Sequence, residues 1–154
     1  MILALDLEGT LISSAVICWP RPGLFPFLTW AREAFERIVV FSAVPATVAG
    51  QICWDLAEEG EAPAWFADVP AFEAQTEKKD LARIAPLGRV LLVDDHAEYI
   101  LEAQKPWWVQ IARYCPELGC GQVDVDDGEL ARVRTVLEGS IQFSRIIGKR
   151  KAGI

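Results

Sequence analysis

The chain has 154 residues, 52% of them hydrophobic and 24% charged. That suits one domain with a sizeable core, and it excludes a disordered tail, a collagen-like repeat and a disulfide-stapled miniprotein. The formal charge of −7 repels phosphate backbones at long range and so disfavours broad nucleic-acid binding. The exception is a basic cluster of Arg145, Lys149, Arg150 and Lys151, which reads as a solvated terminus.

In chain order, residues 1–5 (MILAL) are a short continuous apolar run, as expected of a strand buried on both faces. It stops at Asp6, and Gly9-Thr10 supplies a turn. Residues 11–19 are β-rich and closed by Pro20-Arg21-Pro22-Gly23, which predicts a small hairpin flap over residues 11–20. The spacing of Leu28, Ala31 and Phe35 predicts a helix over residues 24–37, with Pro26 tolerable in its first turn. A second strand, residues 38–41 (IVVF), ends at Ser42. Residues 45–59 read as a helix with Pro45 in the first turn and Gly60 at the C-terminal cap.

Residues 62–72 mix Pro and Trp, and a short strand is expected at 65–67. A short helix is expected over 76–83, and a third strong strand, residues 90–93 (VLLV), stops at Asp94-Asp95. Residues 96–103 then read as helix and 107–111 as strand. Asp126 or Asp127 can cap a last helix that carries Leu130, Val133, Val136 and Leu137 on one face. Strands separated by helices predict a Rossmann-like three-layer α/β sandwich: a central parallel sheet with helices on both faces. We read residues 1–154 as a single domain, with a C-terminal helix and basic tail over 127–154.

Cys18, Cys53, Cys115 and Cys120 have neither metal-ligand spacing nor the look of a disulfide framework, which suits a reducing, cytoplasmic setting. Asp6 and Glu8 interrupt the apolar start, which argues against a signal peptide. No apolar run approaches the ~18 residues of a membrane span.

Polar groups follow three of the strong strands: Asp6 and Glu8, then Ser42, then Asp94 and Asp95. In an open parallel sheet, ligands bind beyond the carboxyl ends of the strands, so all these groups belong to one rim. Lys79 precedes the third of these strands and can reach that rim from the side. Carboxylates, a hydroxyl and an ammonium together suit phosphoryl transfer. Clustered carboxylates also need a cation, and hard oxygen ligands favour Mg²⁺. His96, the only histidine, is read as a capping or packing residue.

Asp6-Leu7-Glu8-Gly9-Thr10-Leu11 resembles the first motif of the haloacid dehalogenase superfamily, D-x-D-G-T-L. Phe41-Ser42, Lys79 and Leu92-Val93-Asp94-Asp95 resemble its second, third and fourth motifs in order. Arg21-Pro22-Gly23 and Lys79-Asp80-Leu81 are further similar to the branch of small C-terminal-domain phosphatases and NLI-interacting-factor-like proteins. The resemblance implies a Mg²⁺-dependent phosphatase with Asp6 as the nucleophile that forms an aspartyl-phosphate. It implies metal ligation by Asp6, the Glu8 carbonyl, Asp95 and, as an additional or alternative ligand, Asp94. Ser42 and Lys79 would bind phosphoryl oxygens, beside the Gly9-Thr10 turn, and Glu8 would act as general acid and base.

Cap domains in this superfamily are inserted after the first or second motif. Little spare chain follows either motif here, so the site should be open and suited to a phosphoprotein or another large phosphoester. Glu8 is one methylene longer than the aspartate usual in that motif. That difference motivates an alternative: a catalytically weak or inactive relative that serves as a binding or regulatory module.

Overall fold

The apolar run that opens the chain becomes the central strand of the fold. A computed structural model describes residues 1–116 and 125–151, side chains beyond residue 143 excepted. Its strands are β1 (Ile2–Leu5), β2 (Arg37–Ser42), β3 (Ala71–Glu73), β4 (Val90–Asp94) and β5 (Trp108–Gln110). All neighbouring pairs are parallel, in the order β3-β2-β1-β4-β5. The helices are α1 (Leu24–Ala34), α2 (Ala46–Glu58) and α3 (Glu129–Lys151).

The chain winds outward from β1 first through β2 to β3, then returns to β4 and β5. Right-handed crossovers therefore place the first two connections on one face and the next two on the other. Period-two alternation sorts the strand residues accordingly. Leu3, Leu5, Ile38, Val40, Leu91 and Val93 pack with apolar residues of all three α-helices, including Leu28, Ile52 and Val133. Ala4, Val39, Phe41, Val90 and Leu92 pack on the opposite face with Leu81 and Ile100. The α/β sandwich expected from the sequence is present, with one thick layer of α-helices and one thin layer of 3-10 helices.

Several local expectations are corrected. The helix expected over residues 76–83 is only the 3-10 helix Leu81–Arg83. The one expected over 96–103 is replaced by 3-10 helices Ala97–Tyr99 and Glu102–Trp107. Residues 65–67 are not a strand. Pro63 leads instead into the 3-10 helix Ala64–Asp68, which buries Phe66, and the strand follows at β3. Residues 11–20 form turns held by one antiparallel bridge, Ile12 to Pro20, not a hairpin. On α3, Leu130, Val133 and Leu137 are buried as expected, but Val136 is 42% exposed. Asp126 and Asp127 accept the Gly128 and Glu129 N–H groups at its start. Cys120 and the side chains of Arg145, Lys149, Arg150 and Lys151 lie outside the described residues. Among the described residues, no helix is long and apolar enough to cross a membrane.

Candidate active site

The chain reverses its winding direction at β1 and β4, and the crevice beyond their carboxyl ends is where such sheets bind ligands. Asp6 donates its N–H to the Val93 carbonyl at 3.0 Å, which carries the ladder past β1 and sets Asp6 beside Asp94. Alternation then decides direction. Asp6 follows Ala4, and Asp94 follows Val90 and Leu92, so both carboxylates lie toward the thin 3-10 layer. Lys79 arrives from that layer.

Lys79 is 2% exposed, and its Nζ donates to Asp6 Oδ1 at 2.7 Å and Asp94 Oδ2 at 2.5 Å. Its backbone is fixed by donation to the Tyr99 carbonyl at 2.7 Å. The next two residues are clamped by Gln104, which accepts from Leu81 N at 2.8 Å and donates to Asp80 Oδ1 at 2.7 Å. Extended backbone at Lys79, rather than the helix expected there, lets the side chain reach inward. Burial pulls the ammonium's pKa down, but the Asp6 and Asp94 carboxylates prevail and the net shift is upward.

The second oxygen of Asp6 accepts from the Thr10 hydroxyl at 3.2 Å, so Thr10 orients Asp6. Gly9, φ +72°, is required twice: a Cβ there would lie 2.5 Å from Asp95 Oδ2 in a backbone conformation side chains rarely adopt. Burial, then the Asp6 charge, raise the pKa of both Asp94 and Asp95, and Asp94 reaches about 6 against the pull of Lys79. Asp6, Asp94 and Asp95 each offer a carboxylate oxygen within 4.8 Å of the others. Three carboxylates against one buried ammonium leave an excess of negative charge, and an all-oxygen donor set suits a hard divalent cation.

Ser42 ends β2, is buried, and accepts from Val44 N at 3.3 Å. Glu8 lies outside the carboxylate trio; its Oε1 accepts from Ala15 N at 2.7 Å, which ties it to the 11–20 segment. Asp6, Glu8, Ser42, Lys79 and Asp95 share the walls of one cleft of about 170 Å³.

That cleft has walls the sequence reading did not select: Ser13, Tyr99 and Arg113. Arg113 follows β5, so the rule that picked out the other strand ends could have found it. His96, read as a cap or packing residue, makes no side-chain cap bond and lines the cleft beside Tyr99.

Arg21, noted only as part of a motif, is a buried rivet. It donates to the carbonyls of Thr10 at 3.0 Å and Ala112 at 2.6 Å, and to Asp127 Oδ2 at 2.7 Å. Its guanidinium also lies 5.3 Å from the centre of the Tyr114 ring. The rivet fixes the turn between Asp6 and the 11–20 segment.

This sheet order, with acidic groups and a lysine gathered at the switch point, defines an α/β protein of the haloacid dehalogenase type. The chain belongs to the NLI interacting factor-like phosphatase family, whose sequence model matches residues 1–146. A comparison with curated proteins finds no match. Family membership implies phosphatase chemistry on a phosphorylated substrate, and the family generally uses Mg²⁺.

Proposed function

We propose that the chain is a capless, Mg²⁺-dependent phosphoric monoester hydrolase acting through a covalent phosphate on Asp6, with an open site suited to a phosphoprotein or other large phosphoester. The observation that carries this reading is the trio of Asp6, Asp94 and Asp95, in which the buried Lys79 ammonium pairs with Asp6 and Asp94 and the half-exposed Arg113 stands near Asp95. Both Asp94 oxygens are engaged, by Lys79 and by the His96 N–H, so Asp95 is the freer ligand beside Asp6. Held by these carboxylates and the Glu8 carbonyl, Mg²⁺ supplies positive charge that offsets repulsion between an anionic nucleophile and an anionic phosphate.

The chain's own groups perform the rest. Lys79 and Thr10 orient the Asp6 carboxylate for attack on phosphorus. As the Asp6–phosphorus bond forms, the ester P–O bond breaks, and Glu8 gives its proton to the leaving oxygen. Glu8 then takes a proton from water; the hydroxide attacks phosphorus, the Asp6–phosphorus bond breaks, and inorganic phosphate departs. Lys79 and the Ser42 hydroxyl steady the equatorial oxygens, where charge collects.

The test is phosphate release from an aryl phosphate, with and without Mg²⁺. Turnover that requires Mg²⁺ and falls by at least about 10³-fold in Asp6→Asn is expected, as for loss of a covalent nucleophile. Equal turnover in Asp6→Asn would overturn the reading. A second reading, a weak or inactive relative that binds phosphorylated partners, is favoured by the tether from Ala15 N to Glu8. Glu8→Asp separates the two: a gain of turnover makes the glutamate a brake, and silence of every form across a broad ester panel favours the binding module.

A further inference from the structure

Of the two basic Lys/Arg side chains lining the cleft among the described residues, Lys79 is sealed between Asp6 and Asp94, whereas Arg113 is open. Arg113 is oriented all the same. Its Nη1 lies 2.9 Å from His96 Nε2, and since a guanidinium has no acceptor, it donates to the unprotonated ring nitrogen. The His96 ring is braced by Tyr99, 4.9 Å between centroids. Arg113 Nε stands 3.9 Å from Asp95 Oδ2, too far for a hydrogen bond, and the side chain is 56% exposed. The planar fork is thus fixed along one edge, with donors left over for a ligand.

A second observation points the same way. Ser13, 3% exposed, is a wall of the same cleft, and among the described residues its hydroxyl finds no hydrogen-bond partner. Buried hydroxyls are nearly always partnered, so an unpartnered one at a cleft wall suits a site completed by ligand.

We propose that Arg113, with Ser13 on the wall of the same cleft, is a specificity subsite for a second anionic group on the leaving group of the substrate. The substrate class is a phosphomonoester that carries a carboxylate or a further phosphate close to the ester; this rests on the phosphatase reading above. Arg113 lines the cleft outside the carboxylate trio, near Asp95 alone of the three, so the guanidinium meets a part of the substrate other than the reacting phosphoryl group. Bidentate pairing with a carboxylate or phosphate is what a fixed, half-exposed guanidinium does best.

The chemistry has two sources, an acidic residue flanking a phosphoserine or a small bis-anion, and the experiment has an arm for each. With the full chain and Mg²⁺, kcat/KM is compared for phosphoserine peptides with Asp or Asn after the phosphoserine. The second arm compares 3-phosphoglycerate with glycerol 3-phosphate. The member with the additional carboxylate in at least one pair should be preferred by about 10- to 100-fold, as for a charge-assisted contact. Arg113→Gln should erase that preference, Arg113→Lys should keep part of it, and Ser13→Ala should reduce it. Parity in both arms, or an unchanged preference in Arg113→Gln, overturns the subsite.

Calorimetric binding of the same ligands to Asp6→Asn, with and without Arg113→Gln, keeps the two readings apart. Preferential binding without turnover in the wild type sustains the subsite and sinks the phosphatase. Turnover without preference does the reverse.

Discussion

Lys79 and Arg21 are buried cations on either side of the same turn, and their surroundings differ in how charge is balanced. Arg21 meets one carboxylate, backbone carbonyls and an aromatic face, so its donors are satisfied and nothing is left over. Lys79 meets two carboxylates with a third close by. The first arrangement is closed and holds shape. The second carries surplus negative charge and calls for a further cation. Buried ionic groups in one small domain thus separate into support and chemistry by counting charges, without reference to any motif.

Substitutions can break that contrast. Lys79→Met should cost about 10²- to 10³-fold in turnover, the usual effect of losing one group that stabilises developing charge. It also leaves buried carboxylates without their counterion, and Mg²⁺ should raise the melting temperature of this variant more than that of the wild type. Arg21→Met should cost about 1–3 kcal/mol of stability, because the buried Thr10 carbonyl loses its partner while Asp127, 34% exposed, turns to water. Here Mg²⁺ should give no rescue beyond the wild-type effect; equal rescue in both variants would erase the distinction. Thermal unfolding with and without Mg²⁺ reads both.

Gly9→Ala tests the turn between the two cations. Left-handed backbone alone costs about 1–2 kcal/mol for a residue with a Cβ. The new methyl would also press on Asp95, so a loss of Mg²⁺ affinity larger than the loss of stability is expected from titration calorimetry.

The smallest effect concerns the head of α3. Hydrogen bonding from Arg132 holds the Glu129 carboxyl down at about 2, below its ordinary 4.5. A lowered folded-state value contributes stability that is present above the unfolded value and is lost as pH falls toward the folded one. Glu129→Gln should therefore destabilise slightly at neutral pH, with the effect shrinking below about pH 4.5 and nearly gone at pH 2, read from denaturant midpoints across that range.

The sheet and the acidic rim were legible because continuous apolar runs stop abruptly at Asp6, Ser42 and Asp94. Period two then fixes which carboxylates meet Lys79. The thin layer was less legible. A 3-10 helix of three residues leaves no recurring apolar stripe, so residues 76–83 and 96–103 read as ordinary helices although Lys79 needs extended backbone to enter the site. The short strand expected at 65–67 fails because Pro63 and the burial of Phe66 decide for a tight turn. Arg21 was illegible for another reason. Arg21 takes its meaning from Ala112 and Asp127, 91 and 106 residues away, and no local pattern encodes partners at that separation.

That separation also bears on the order in which the chain is made. During synthesis the central strand and Asp6 emerge well before the last helix, yet the guanidinium that pins their turn waits for Asp127, near the start of that helix. Until then the turn after Asp6 has its scaffold but not its final clasp. Closing so distant a contact is slow compared with local helix formation. A nascent chain therefore completes this turn only when α3 begins to leave the ribosome, and a chain stopped short of Asp127 would leave Arg21 without its carboxylate partner.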